Sequence, residues 1–140
     1  KNVEFREKVK ATKMVGGFEY DDYNLTEKDE TRIEEYITKF GNNYTYYVIT
    51  GSSLDGDPNE KDVKEIDGNK VSRVEWDYYL TKNRYKTVAN KLKSLGAKDV
   101  KVRYMPKSKE ETDKIYGKLN KADKKSEDNR KFRIVPIPRK

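Results

Sequence analysis

The stretch EWDYYLTKNRYKTVANKLKSLG, residues 75–96, carries the longest run of helical periodicity in this sequence. Leu80, Val88, Leu92 and Leu95 recur at spacings of eight, four and three, which places them on one helix face. Ser72 followed by Glu75 forms a capping box at its start, and Gly96 ends it. The reading is a long helix with one buried stripe, and it sets the register for everything on either side.

Working outward, residues 44–50 (YTYYVIT) are β-branched, aromatic and free of proline, the clearest strand in the chain. Ahead of them, Thr26 and Asp29 resemble a capping box. Ile33, Tyr36, Ile37 and Phe40 give an amphipathic helix that Gly41 and Asn42 terminate. Met14 to Tyr20 reads as a further strand, with Gly16 and Gly17 marking a bend or bulge. Residues 1–12 form a lead-in segment whose apolar positions alternate weakly, compatible with a strand or an irregular approach.

Residues 51–71 read as an inserted loop, punctuated by Gly51, Gly56, Pro58 and Gly68 and longer than most connections. After the long helix, Asp99–Met105 predicts a strand, residues 108–121 a short weak helix, and Lys131–Ile137 a last strand. Its prolines point to a strand end or sheet edge. The order β-α-β-α-β-(α)-β defines an α/β (α+β) two-layer sandwich: a mixed sheet with helices on one face, in a single domain over residues 13–140.

Composition bounds the chemistry. The chain has 140 residues, 41% of them charged, and a mean hydropathy of −1.18; its 11 Tyr, 4 Phe and 1 Trp supply the apolar area for a core. The net charge of +7 is concentrated late: residues 106–140 hold twelve basic and six acidic side chains. Such a segment favours polyanions in general, though a solvated lysine-rich loop is the more ordinary account of it. With no cysteine and no histidine, disulfides, thiolate metal sites and the usual nucleophilic triads are excluded. No apolar run is long enough to span a membrane. Asp55, Asp57 and Asn59 begin like a calcium loop, but Glu60 and Ile66 stand where glycine and glutamate are required. No phosphate-cradling or hydrolase motif occurs, so neither metal nor cofactor is expected and enzymatic function is disfavoured. Tyrosines 44, 46, 47, 78, 79 and 85 stand near lysines, as stacking platforms for bases or sugars do, but such spacings more often fill cores.

Four pieces taken together resemble the OmpA-like domain, the peptidoglycan-binding module of outer-membrane protein A, peptidoglycan-associated lipoprotein and flagellar-motor MotB. Phe18-Glu19-Tyr20-Asp21, with Leu25 and Thr26, is similar to its F-x-F-D strand and helix entrance. Val48-Ile49-Thr50-Gly51-Ser52-Ser53, then Asp55, is similar to the strand ending in G-H-T-D. Trp76-Asp77-x-x-Leu80-Thr81-x-x-Arg84-Tyr85 resembles Y-N-x-x-L-S-x-x-R-A, and Asn129-Arg130-Lys131-Phe132-Arg133-Ile134 resembles N-R-R-V-E-I. The resemblance covers roughly residues 13–137. It departs at the displaced Asp55, at Asp77 and Tyr85, in the longer segment before Arg84, and at Tyr104-Met105-Pro106, where the family has a G-x-G turn.

What the resemblance implies is non-covalent, non-catalytic binding of peptidoglycan at the diaminopimelate of its stem peptide, anchoring an envelope protein to the cell wall. Arg84 and Asp55 are the implied ligand contacts, with Asp77, Asn129 and Arg130 around them. A carboxylate and a guanidinium suit a zwitterionic amino-acid end, because the arginine fork grips a carboxylate bidentately. A bulky Tyr85 stands to fill the pocket beside Arg84. The implied location is the periplasm, at the outer membrane of a Gram-negative envelope. The parent protein would be membrane-associated outside this segment, with other envelope proteins as further partners. The alternative is a degenerate OmpA-like scaffold or protein-interaction module without glycan binding. A basic nucleic-acid-binding domain using Lys107 to Arg133 is the least favoured.

Overall fold

The computed structural model describes residues 2–19, 21–51, 64–118 and 130–139. Asp55, Asn129 and Tyr20 lie outside them. The elements are α1 (Asn2–Ala11), β1 (Gly16–Gly17), α2 (Glu27–Phe40), a 3-10 turn (Gly41–Asn43), β2 (Tyr44–Thr50), β3 (Lys64–Ile66), β4 (Asn69–Val71), α3 (Arg73–Ser94), β5 (Asp99–Val102), α4 (Lys109–Lys118) and β6 (Lys131–Pro138). The main sheet has the order β1-β6-β2-β5. β2 runs parallel to β5 and antiparallel to β6, which is antiparallel to β1, so the sheet is mixed. The parallel pair requires a crossover, and α3 supplies it.

Both helix starts follow their caps. Thr26 Oγ1 accepts from Asp29 N at 3.2 Å, and Ser72 Oγ accepts from Glu75 N at 3.3 Å. The Glu75 carboxylate does not complete a box but pairs with Lys109 of α4 at 3.2 Å. At the far end Gly96 takes φ of 98°, a left-handed conformation that a side chain would resist. Ile33 of α2, Val88 and Leu92 of α3, Tyr46 and Val48 of β2, and Phe132 and Ile134 of β6 meet in one core. Each large side chain buried there contributes about 1.5–3 kcal/mol.

Residues 2–11 are helical, neither strand nor irregular lead-in. Phe5 and Val9 stand four apart, a spacing that satisfies a helix as well as a strand, and Glu4 in the first turn with Lys8 in the last suits the helix dipole. Phe5 lies edge-on to Tyr47 at 5.0 Å, with the Arg103 guanidinium 5.1 Å from the Phe5 ring. Tyr47 alternates with the core-facing Tyr46 and Val48, so α1 covers part of the reverse face of the sheet while α2 and α3 cover the other.

Two further differences concern strands. The expected 51–71 loop contains the β3-β4 hairpin, turned by Asp67 (φ 52°) and Gly68 (φ 83°). Positive φ at both positions is what a two-residue type I′ turn demands. Its strands are three residues each and mostly charged, which hides their alternation in the sequence. The expected 14–20 strand shrinks to Gly16–Gly17, flanked by Val15 N donating to the Phe132 carbonyl and Phe18 N to that of Arg130.

That shortness explains the prolines of β6, which sit inside the sheet rather than at its edge. Gly51 N bonds to Lys131 O and Arg139 N to Asn43 O, so the odd-numbered residues of β6 carry the hydrogen bonds to β2. Pro136 and Pro138 take the intervening positions, where an N–H would point away from β2 toward the side β1 does not reach. The placement is locally an edge.

The glycine pair has a close-approach role. The Asp29 carboxylate accepts from Gly17 N at 3.2 Å, and a Cβ on Gly16 would lie 2.2 Å from Asp29 Oδ1. Asp29 is itself buried and ion-paired to Arg32 at 3.6 Å, so it has little room to retreat. Gly16→Ala is expected to lower stability by about 2 kcal/mol. Thermal unfolding followed by circular dichroism checks this; an unchanged midpoint would mean that the carboxylate swings aside at no cost.

Candidate functional site

The inner side of α3 is half apolar and half charged. Arg73, Asp77, Thr81 and Arg84 follow one another at spacings of four, four and three, and all are at most 2% exposed. Buried charge is costly unless it is paired and hydrogen-bonded. The chain following β1 supplies partners. Arg84 Nε donates to the Asp22 carbonyl at 2.8 Å and its Nη2 to the Glu19 carbonyl at 3.1 Å. The guanidinium also lies 5.2 Å from the centre of the Phe18 ring. Phe18, Glu19 and Asp22 are thereby gathered around one arginine side chain.

Asp21 is the node beside it. Its carboxylate accepts from both terminal nitrogens of Arg73, one at 3.3 Å and the other closer, and from Trp76 Nε1 at 3.2 Å. Lys64 of β3 reaches it at 3.1 Å, tying the hairpin to the cluster. Arg73 Nε stands 3.5 Å from Asp77 Oδ1, one turn along α3. Burial pushes the Asp21 carboxyl up, but hydrogen bonds from Arg73 and Lys64 outweigh it and hold it below the usual carboxylate range. The Asp21 backbone is left-handed, with φ of 56°, a conformation that aspartate and asparagine tolerate better than most residues.

Around this cluster the quoted motif pieces come together. Phe18 N bonds to the Arg130 carbonyl, Gly51 N to that of Lys131, and Arg84 to Glu19 and Asp22, each across a long stretch of sequence. The end of β1, the end of β2, the middle of α3 and the start of β6 are therefore neighbours. Asp77 belongs to the buried stripe as a partner of Arg73. Arg130 is half-buried at the head of β6, lining a cavity of about 420 Å3 with Gly16, Gly17, Asp29 and Arg32. Asp55 and Asn129 fall outside the described residues, so Arg84, Asp77 and Arg130 are the sequence-selected residues that can be located.

Tyr85 does not fill a pocket beside Arg84. It is buried in the core, and its hydroxyl donates to the Arg103 carbonyl at 2.6 Å, with the Thr50 carbonyl at 3.4 Å, tying the end of β2 to the chain leaving β5. Burial raises the Tyr85 phenol above its ordinary value. Nearby, Tyr104 adopts φ of 62° where the resemblance to OmpA-like domains expects a G-x-G turn, a left-handed residue that is 61% exposed.

Sequence reasoning missed Asp21 and Arg73 as members of the site. Asp21 was visible as the last residue of the F-x-F-D-like piece, and Arg73 follows the Ser72 cap; neither position signals that the two side chains meet. Among the described residues no group of His, Cys, Asp or Glu is placed to hold a metal ion, and no helix is long and apolar enough to cross a membrane. Compared with known proteins, the chain matches no family model and no curated protein sequence.

The Asp21 carboxylate gives a pH signature. Its folded-state pKa is depressed, so its stabilisation is present above the unfolded value of about 3.9 and is lost as pH falls through the lower folded value. Asp21→Asn keeps the left-handed backbone and removes the charge. The variant is expected to be less stable by about 2 kcal/mol at neutral pH. That gap should hold down to about pH 4 and close below it. Urea unfolding across this range measures it; a gap of equal size at the acid end would assign the loss to shape rather than charge.

Proposed function

We propose that this chain is a non-catalytic cell-wall-binding domain of the OmpA-like type. In this reading it holds the diaminopimelate-bearing stem peptide of peptidoglycan, anchors an envelope protein and works on the periplasmic side of the outer membrane. The single observation that supports this most is the meeting of the four motif pieces at one end of the sheet, with Arg84 between them. An arginine fixed in orientation suits bidentate capture of an amino-acid carboxylate, and Asp55 would face the amine. In the described structure the Arg84 donors engage main-chain carbonyls of residues 19 and 22. Ligand capture in this proposal exchanges neutral carbonyls for a carboxylate, adding an acceptor charge to bonds that the guanidinium donor already makes charge-assisted.

The complete burial of Arg84 favours a second reading, in which the arginine serves only to hold the loop after β1 and the domain is a scaffold for other envelope proteins. Sedimentation with purified sacculi separates the two. Under the first reading the wild-type chain is retained. Arg84→Lys, which keeps the charge but loses the planar fork, is expected to bind about tenfold more weakly while its circular dichroism stays native. A folded wild-type chain left in the supernatant supports the scaffold reading. Equal retention of the variant removes Arg84 from the contact.

A further inference from the structure

The fold divides the lysine-flanked tyrosines into two groups. Tyr46 and Tyr85 are buried in the core, Tyr44 packs against Phe40 at 5.2 Å, and Tyr47 lies under Phe5. Tyr78 and Tyr79 are different: both are half-buried and line a groove of about 580 Å3 between the first turns of α3 and the start of α4. We propose that this groove is a carbohydrate site, taking a short pyranose oligosaccharide whose ring faces lie on the tyrosines and whose hydroxyls meet the rim.

The rings are held in place before any ligand arrives. Tyr79 stacks on Trp76 at 5.5 Å and 26°, and Tyr23 meets it edge-on at 6.2 Å. Tyr78 donates its hydroxyl to the Lys107 carbonyl at 2.9 Å, and the Lys82 ammonium sits 4.4 Å from its ring centre. A preorganised aromatic surface avoids the ordering cost that weakens most small-ligand sites. The volume lies within the roughly 300–1,000 Å3 typical of ligand pockets.

The rim selects the ligand class. Lys82, Lys107 and Lys109 alternate with Glu75 and Glu110, three cations against two anions, and Glu75 is already joined to Lys109. A net single positive charge with two carboxylates present is a poor match for a phosphate backbone, whose binding rests on neutralising several phosphates at once. Sugar hydroxyls both donate and accept, which is what a mixed ammonium and carboxylate rim offers. The pyranose face, lined by C–H groups, suits the electron-rich face of a phenol ring. This site uses neither Arg84 nor a stem peptide, so it stands or falls separately from the peptide-binding proposal.

Trp76 is the sole tryptophan of the chain and reports on the stack directly. Titrating the full chain with chitotetraose and with cellotetraose is expected to change its fluorescence saturably, with Kd of ~0.1–1 mM. Saturation by chitotetraose alone would add that the acetamido group is read. Tyr79→Ala and, because that change also disturbs Trp76, Lys82→Ala are each expected to weaken binding about fivefold, followed by calorimetry. Arg84→Lys is expected to bind the tetrasaccharides as wild type does, even where it fails to hold sacculi. No saturable response to either sugar, or wild-type affinity in both groove variants, would overturn the assignment. So would saturation by oligothymidylate in place of the sugars.

Discussion

The constraint on which the rest of the structure depends is the burial of charge on the inner side of α3. Two arginines and an aspartate at turn spacing cannot stay inside a protein without partners, because each lost hydration shell costs several kcal/mol. The chain after β1 answers that demand, placing two carbonyls on Arg84 and the Asp21 carboxylate on Arg73. Once the loop is committed there, β1 has little length left to run. The sheet edge beside β6 is left open, and prolines are tolerated where a neighbouring strand would have excluded them.

The same demand reaches the hairpin. Lys64 of β3 shares the Asp21 carboxylate and lies 5.6 Å from the Trp76 ring, so β3 and β4 are drawn onto the head of α3. Trp76 both donates to Asp21 and stacks on Tyr79. One residue thus links the buried ion cluster to the aromatic groove. Polar order inside the helix and aromatic order outside it are two sides of the same three turns, which is why a single segment of α3 carries both proposals.

Much of this was legible in the sequence, and the reason is local. Helix caps, the apolar stripe of α3, the strand at residues 44–50 and the glycine that ends α3 depend on neighbours a few positions away. Their register follows from spacing alone. The α1 segment was ambiguous because residues four apart fit both periods, and contact with Tyr47 on the reverse face decided it. The hairpin was hidden by its charge, although Asp67-Gly68 is the dipeptide its turn requires.

By itself, then, the sequence determined the α/β class, the order of the main elements and the apolar faces of α2 and α3. It also singled out Arg84 as an arginine in an unusual setting. Only the tertiary structure decided what that setting is: a guanidinium buried against Phe18, Glu19 and Asp22, with Asp21 and Arg73 as an adjoining pair 52 positions apart in the chain. It also decided which tyrosines are core and which line a groove. Spacing specifies the face of an element on which a side chain stands. What covers that face is set by long-range packing and by the cost of leaving charge without a partner.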